Sequence, residues 1–118
     1  MGRSITVLTD VNLITCIVQK GVADGIVTAA REAGAQGATV YYARGSGVRE
    51  RLGLLGVAVE VEKEVIDVIV ADDQVDRVFE SMYLAGKLDT PGMGIIYTSH
   101  LEKAATFIPP EVVSKLKG

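Results

Sequence analysis

Two glycines and two arginines lie close together near the middle of the 118-residue sequence, where Gly45 and Gly47 precede Arg49 and Arg51. Glycine permits backbone conformations and close approaches that a Cβ hinders, so backbone N–H groups at such a turn can hold an anion. The arginines would add positive charge beside it. A flexible hairpin loop explains the same residues equally well, and the local sequence leaves both interpretations open.

The common phosphate-binding fingerprints do not fit this segment. Glu50 stands where a dinucleotide-binding fingerprint needs its third glycine, and no lysine completes a Walker-type loop. The residues that follow, L-G-L-L-G-V-A-V, are unusually apolar for a solvated loop. We expect this apolar tip either to pack within an oligomer or to contact a partner.

Catalytic and metal-binding residue sets are scarce. The chain has one histidine, His100, and one cysteine, Cys16, so a single chain cannot assemble a Cys/His pair or a multi-histidine metal site. His100 is predicted to be a surface or interface residue. The alternating carboxylates Glu60, Glu62 and Glu64 are predicted to lie on a solvated strand edge.

Composition limits the class of protein. Hydrophobic residues make up 48% and charged residues 23% of the chain, which is typical of a globular domain, and the net charge of −3 argues against a general nucleic-acid binder. The single cysteine favours a reducing compartment. No apolar run approaches the ~20 residues needed to cross a bilayer, and the first residues lack the pattern of a secretory signal, so we expect a cytoplasmic protein.

Hydrophobic periodicity divides the chain into strands and helices. It predicts a helix over 22–33 that ends at Gly34, and a second helix that begins at the N-cap Asp73 and ends at Gly86. Short β-branched runs predict strands, and a proline pair predicts a terminal helix. The strands are expected near residues 4–10, 13–20, 38–43, 63–71 and 94–98, and the terminal helix over 109–117.

The two strand–helix units resemble each other at a constant spacing. Ile14–Val18 matches Ile66–Val70 and Ala33–Gly34 matches Ala85–Gly86, each 52 residues further along. Such a repeat predicts the ferredoxin-like βαββαβ sandwich, an α+β fold with one antiparallel sheet and two helices on one face. The other face would be apolar and uncovered, so we expect a homotrimer whose sheets face a common centre.

Several segments resemble the PII signal-transduction family, the nitrogen regulatory proteins P-II. The chain contains A-R-E-A-G-A-Q-G-A-T-V, then R-G-S-G, and later V-I-D-V-I-V-A-D-D-Q-V-D-R-V-F-E-S-M followed by A-G-K-L. R-G-S-G is similar to the lysine-glycine-phenylalanine-glycine sequence at which the family's long T-loop begins. The resemblance spans about residues 13–104, nearly the whole core.

The resemblance implies one PII-like domain over residues 1–118, with the T-loop at about 44–62 and the short C-terminal helix at about 109–117. It also implies a ferredoxin-like trimer that binds an adenine nucleotide (ATP, ADP or AMP), and often 2-oxoglutarate, in clefts between subunits. The start of the T-loop and the turn before the last strand would line each cleft. The expected ligand-binding residues are Gly45, Ser46, Gly47, Val48, Arg49, Lys87, Thr90, Gly92, Met93 and Gly94.

At three positions the chain has an uncharged residue at or near a place where the family has a lysine or an arginine. Ile95 stands where the family has a phosphate-binding lysine, and Thr106 and Ile108 stand near its later arginines. Either other cations replace these charges or the cleft holds a different ligand, as in PII-like proteins outside nitrogen control. The cations available are Arg49, Arg51 and Lys87.

The predicted function is regulation, without catalytic residues, a metal or a resident cofactor. A small effector would change the T-loop, and Arg51, Leu54 and Leu55 would contact a target protein, such as a membrane transporter. No tyrosine lies between Gly45 and Val65, so the family's uridylylation switch is not expected. The alternative is a CutA-like ferredoxin-fold trimer that binds metal or acts as a scaffold, and a small ferredoxin-like enzyme using an acid/base pair at the subunit boundary is a third interpretation.

Overall fold

A computed structural model describes residues 5–45 and 61–111 of the protein. Most of the predicted T-loop and most of the predicted terminal helix therefore lie outside the described residues. No helix within the described part of the chain is long and apolar enough to cross a membrane. In chain order the elements are β1 (Val7–Leu8), β2 (Val11–Gln19), α1 (Ala23–Glu32), β3 (Thr39–Gly45), β4 (Val61–Ala71), α2 (Val75–Ala85), β5 (Gly94–Leu101) and β6 (Ala104–Ala105).

Four strands form one antiparallel sheet in the order β3-β4-β2-β5. The chain runs through it as βαββαβ from β2 to β5, so the predicted ferredoxin-like fold is confirmed. The short strands β1 and β6 pair with each other in a separate two-stranded ribbon. Strand β5 continues to Leu101, three residues beyond its predicted end at Thr98.

The core lies between one face of this sheet and the two helices. Alternate residues in the middle of β2 (Ile14, Cys16, Val18) and of β4 (Ile66, Val68, Val70) are buried there, because successive side chains of a strand point to opposite faces. Both helices bring an apolar stripe to the same face, as their helical period requires. The largest fully buried side chains are Ile14, Val18, Ile26, Ile66, Val68, Val78 and Met82.

A hydrogen-bonded pair marks the symmetry between the two halves of the fold. Thr15 and Asp67, which are 52 residues apart, lie directly opposite each other in the β2–β4 ladder, and the Thr15 hydroxyl donates to Asp67 Oδ1 at 2.8 Å. The repeat therefore relates β2 to β4 by a local two-fold axis through this pair. The predicted offset is confirmed: in the structure it relates β2 to β4, the two central strands of the sheet.

Helix α1 ends in the glycine motif that the sequence predicted. Gly34 has a φ of 121°, and the N–H groups of Gly34 and Ala35 donate to the carbonyls of Arg31 and Ala30, each at 3.0 Å. This is the Schellman arrangement, which satisfies carbonyls left unpaired at a helix C-terminus. Arg77 of α2 adds a 2.7 Å hydrogen bond from Nε to the Ala33 carbonyl, placing a cation at the negative end of the helix.

Helix α2 ends at Gly86 as predicted, but it starts differently. Its N-cap is Gln74, without a side-chain capping bond, so the prediction that Asp73 caps it was wrong. Gly86 is the C-cap with an ordinary φ of −83°, and the left-handed position falls on Lys87, with a φ of 54°. Gly86 is needed for packing instead, since a Cβ there would lie 3.0 Å from Cδ1 of Ile26.

The N-terminus of α1 is capped by a carboxylate from another strand. Val22 at the N-cap has no capping side chain, and Glu64 of β4 accepts hydrogen bonds from the N–H groups of Gly21 (2.5 Å), Val22 (3.0 Å) and Ala23 (3.2 Å). Glu64 is buried, and β4 is an interior strand. The prediction that Glu64 lies on a solvated strand edge was therefore wrong.

Replacing Glu64 by Ala should lower the free energy of unfolding by about 1.5–3 kcal/mol, because the buried N–H group of Ala23 and the part-buried N–H groups of Gly21 and Val22 lose a charged acceptor. Glu62→Ala is the matched control, since the ion pair of Glu62 is solvent-exposed and its loss should have little effect on stability. Denaturant unfolding at one fixed protein concentration measures both changes. Equal losses in the two variants would contradict the capping role.

Candidate functional site

The strand register brings the two predicted glycine segments to the same end of the sheet. Gly45 ends β3 opposite Val61, and Gly94 begins β5 opposite Val18. However, β4 and β2 lie between these outer strands, so the two glycines are at least three strand spacings, roughly 14 Å, apart. Within one subunit they occupy opposite edges and do not line one continuous wall.

Hydrogen bonds fix the turn before β5 against the end of β2. The Thr90 N–H donates to the Lys87 carbonyl at 2.9 Å, and the Met93 N–H donates to the Thr90 carbonyl at 3.2 Å. The Gln19 side chain donates from Nε2 to the Gly92 carbonyl at 3.1 Å. Three of the predicted ligand-binding residues, Thr90, Gly92 and Met93, therefore belong to one ordered turn at this end of the sheet.

Lys87 begins this turn in an uncommon backbone conformation. Among the described residues it is the one non-glycine residue with a positive φ, and its side chain is exposed. A left-handed conformation costs a residue with a Cβ roughly 1–2 kcal/mol, and such outliers concentrate at binding sites and clamps. The left-handed conformation is thus a reason, separate from its charge, to consider Lys87 as a binding residue.

An open groove of about 720 Å³ lies beside the base of the T-loop, where β3 ends and β4 begins. Lys20 Nζ lies 2.9 Å from Glu62 Oε2, and this hydrogen bond raises the pKa of Lys20 and lowers the pKa of Glu62. Arg44 lowers the pKa of Glu62 further. Sequence analysis did not assign the groove, which is lined by Lys20, Tyr42, Ala43, Arg44 and Glu62.

Asp67 is a second feature that sequence analysis missed. It lies on the sheet face away from the helices, where Oδ2 accepts a 3.1 Å hydrogen bond from the Tyr41 hydroxyl, which raises the pKa of Tyr41. It also lines a shallow hollow between β3 and the start of β2. The available signal was the single charge within the apolar run V-I-D-V-I-V, which requires a polar partner.

The same sheet face exposes large apolar side chains. We call it the open face and define it by Tyr41, Ile69, Ile95 and Tyr97, which the described part of the chain leaves 44%, 53%, 58% and 45% exposed. Ile95 is the residue that stands at the family's lysine position. The predicted uncovered face is therefore confirmed, whereas its burial in a trimer stays a prediction.

The single histidine and the single cysteine lie away from the end of the sheet at which β3 ends and β5 begins. His100 is exposed near the opposite end of β5, with Nδ1 3.8 Å from Asp72 Oδ1. Cys16 is buried in the core, and burial raises the pKa of its thiol to about 11. Within residues 5–45 and 61–111, no group of three His, Cys, Asp or Glu side chains could hold a metal ion.

The remaining predicted site residues fall outside the described residues. They are Ser46, Gly47, Val48, Arg49, Arg51, Leu54 and Leu55.

The strand order and the two helices place the protein among ferredoxin-like α+β folds. The family model for "Nitrogen regulatory protein P-II" matches residues 11–109, and the chain belongs to this family. Members of the family are regulatory proteins.

Solved structures share the fold. A crystal structure of PII from Arabidopsis thaliana bound to citrate is 21% identical, with a TM-score of 0.64 and coverage of 80% of this chain and 79% of that chain. No curated protein matches the sequence significantly.

Gly94→Ala should lower the free energy of unfolding by about 2–4 kcal/mol, because Gly94 has a φ of 147° and an added Cβ would lie 2.2 Å from the Ile17 carbonyl oxygen. Gly25→Ala is the matched control. A Cβ at this exposed position in α1 meets nothing within 4 Å, so it should leave stability unchanged or raise it by up to about 1 kcal/mol. Thermal unfolding tests both, and a stable Gly94→Ala protein would refute the close approach.

Proposed function

We propose that this protein is a cytoplasmic, trimeric PII-like regulator. It binds a small anionic effector, an adenine nucleotide, near the base of the T-loop, and the T-loop transmits the bound state to a target protein. The observation that carries the proposal is the strand register, which gathers the T-loop base and the ordered turn around Gly92 at one end of the sheet. Membership of the P-II family supports it.

Two features support an assembly in which neighbouring subunits complete the site. Within one subunit the T-loop base and the Gly92 turn lie on opposite edges of the sheet. A neighbour's edge could meet either of them. The open face also exposes four large apolar or aromatic side chains, and its burial between subunits would bring sheet edges together.

The charges near this end indicate what kind of ligand could bind. Lys87 contributes an exposed ammonium group at the start of this turn, while the exposed Ile95 contributes no charge. Arg49 and Arg51 follow in the T-loop sequence. A ligand with one or two anionic groups suits this inventory better than a triphosphate, so AMP and ADP are the nucleotides we favour over ATP. The citrate bound to Arabidopsis PII is an example of a small anionic ligand in a protein of the same fold.

Isothermal titration with ATP, ADP, AMP, cyclic AMP, citrate, bicarbonate and 2-oxoglutarate tests the effector. We expect an adenine nucleotide to bind, and Lys87→Ala to weaken its affinity about tenfold, the effect of losing one charge-assisted hydrogen bond. Alanine keeps the Cβ at the left-handed position, so the variant isolates the charge.

Lys103→Ala is the control for that titration. It removes the same charge after β5, at the other end of the sheet, and should leave the affinity unchanged. An equal loss of nucleotide affinity in both variants would indicate that the ligand responds to the overall charge of the protein and not to a specific contact with Lys87. The absence of binding by every nucleotide would remove the adenine-sensing proposal.

The target-binding proposal rests on the apolar tip of the T-loop. Replacing Leu54 and Leu55 by Ser should abolish capture of the target protein while the oligomer keeps its mass, because the tip would supply the apolar contact. Affinity capture followed by mass spectrometry identifies the target, and light scattering measures the oligomer. Retention of the same target by the variant would mean that the tip only packs within the oligomer.

A further inference from the structure

The β1–β6 ribbon lies only partly within the residues that match the P-II family. The match covers residues 11–109, which include β6 and leave β1 outside, whereas the ribbon needs both strands. The ribbon adjoins β2 and β5, the two strands to which its own strands are joined by two residues each. It therefore extends from the end of the sheet opposite the T-loop base.

The register of the ribbon gathers its apolar residues on one side. Val7 pairs with Ala105, and continuing this antiparallel register places Ile5 opposite Phe107. Val7 and Ala105 lie within the strands, and continuing the alternation of side chains by two residues puts Ile5 and Phe107 on the same side. We call these four residues the ribbon stripe; Ile5, Val7 and Phe107 are 72%, 42% and 83% exposed.

A ribbon of two short strands is only marginally stable in water without a further layer. The stripe carries no charge, and it exposes Phe107, the only aromatic residue beyond Tyr97, almost completely. The surface that covers the stripe must therefore itself be apolar. The open face is an apolar surface of the same protein that also lacks a cover.

We infer that the ribbon stripe packs against the open face of a neighbouring copy of this chain. At roughly 150–200 Å² for a large side chain, the exposed stripe and the exposed open face each present about 350 Å². Together they approach the apolar part of a standard interface, which buries about 1,600 Å², a little over half of it apolar. Contact with a second copy would thus bury the ribbon stripe and the open face together.

This inference rests on the proposed oligomer and extends it, because it assigns the segment before residue 11 and the segment after β5 to the subunit contact. The ribbon would act as an arm that reaches from one subunit to the next. Chains of the family that lack β1 would not form this contact.

Cysteine cross-linking tests the contact directly in the full-length protein. Cys16 is the only cysteine, and its buried thiol is a silent background. In the double variant Phe107→Cys with Ile95→Cys, mild oxidation or a short bismaleimide should join the chains into covalent dimers and trimers on a denaturing gel. Each single variant should remain monomeric on the gel. A bridge confined to one chain, or no bridge in an intact oligomer, would overturn the inference.

Surface substitutions provide an independent measurement. Ile5→Ser with Phe107→Ser should raise the concentration at which the oligomer dissociates by at least tenfold, as measured by light scattering across a dilution series. Leu84→Ser, which changes an equally exposed apolar residue on α2, is the matched control and should leave dissociation unchanged.

The mass of the wild-type protein in solution tests the proposed trimer separately from the ribbon contact. A wild-type monomer at micromolar concentration would overturn both the proposed trimer and the ribbon contact. An oligomer that is unaffected by the ribbon substitutions would overturn the ribbon contact alone and leave the proposed function standing.

Discussion

The buried carboxylate of Glu64 is the interaction on which the arrangement of the first half depends. A helix begins with N–H groups that have no partner within the helix, and the residues before α1 offer no side chain to accept them. Glu64 of β4 accepts the N–H groups of Ala23, the first residue of the helix, and of Gly21 and Val22 just before it. Because residues 63–71 of β4 also pair with β2, the helix start and the sheet are fixed relative to each other by one side chain and one ladder.

This constraint gives the two edges of the candidate site different characters. β4 begins at Val61, one residue before Glu62, whose ion pair with Lys20 lies beside the base of the predicted T-loop. The strand that follows the predicted T-loop is therefore held to α1, whereas β3, which precedes it, is an outer strand. On the far edge, the turn around Gly92 is held by Gln19 of β2. A ligand at this end of the sheet would meet interior strands that are paired on both sides and outer strands that are paired on one side.

The sequence predicted the fold well because its signals are local and repeated. The apolar alternation of β2 and β4, and Gly34 after α1, each specify structure within a few residues. The prediction that α2 ends at Gly86 was confirmed, but the second helix is one residue longer than the first, so Gly86 serves packing and Lys87 takes the left-handed position. Gly34 and Gly86, which the repeat places at equivalent positions, therefore have different roles.

The site was less predictable because its contacts are distant in the sequence. The role of Glu64 depends on which strand lies beside the start of α1, and periodicity alone carries no information about that neighbour. The pairing of Asp67 with Thr15 and Tyr41 is likewise a consequence of strand order. The missing cap at Val22 was the one local sign that an acceptor had to come from elsewhere.

The capping of α1 at both ends has a consequence for biosynthesis. Glu64 and Arg77, which complete its two termini, are translated after the helix itself. A nascent chain that has emerged only as far as β3 holds a helix with unpaired groups at its start and with only its own motif at its end. The first helix therefore gains the side-chain contacts at both of its ends only after the second half of the chain has been synthesised.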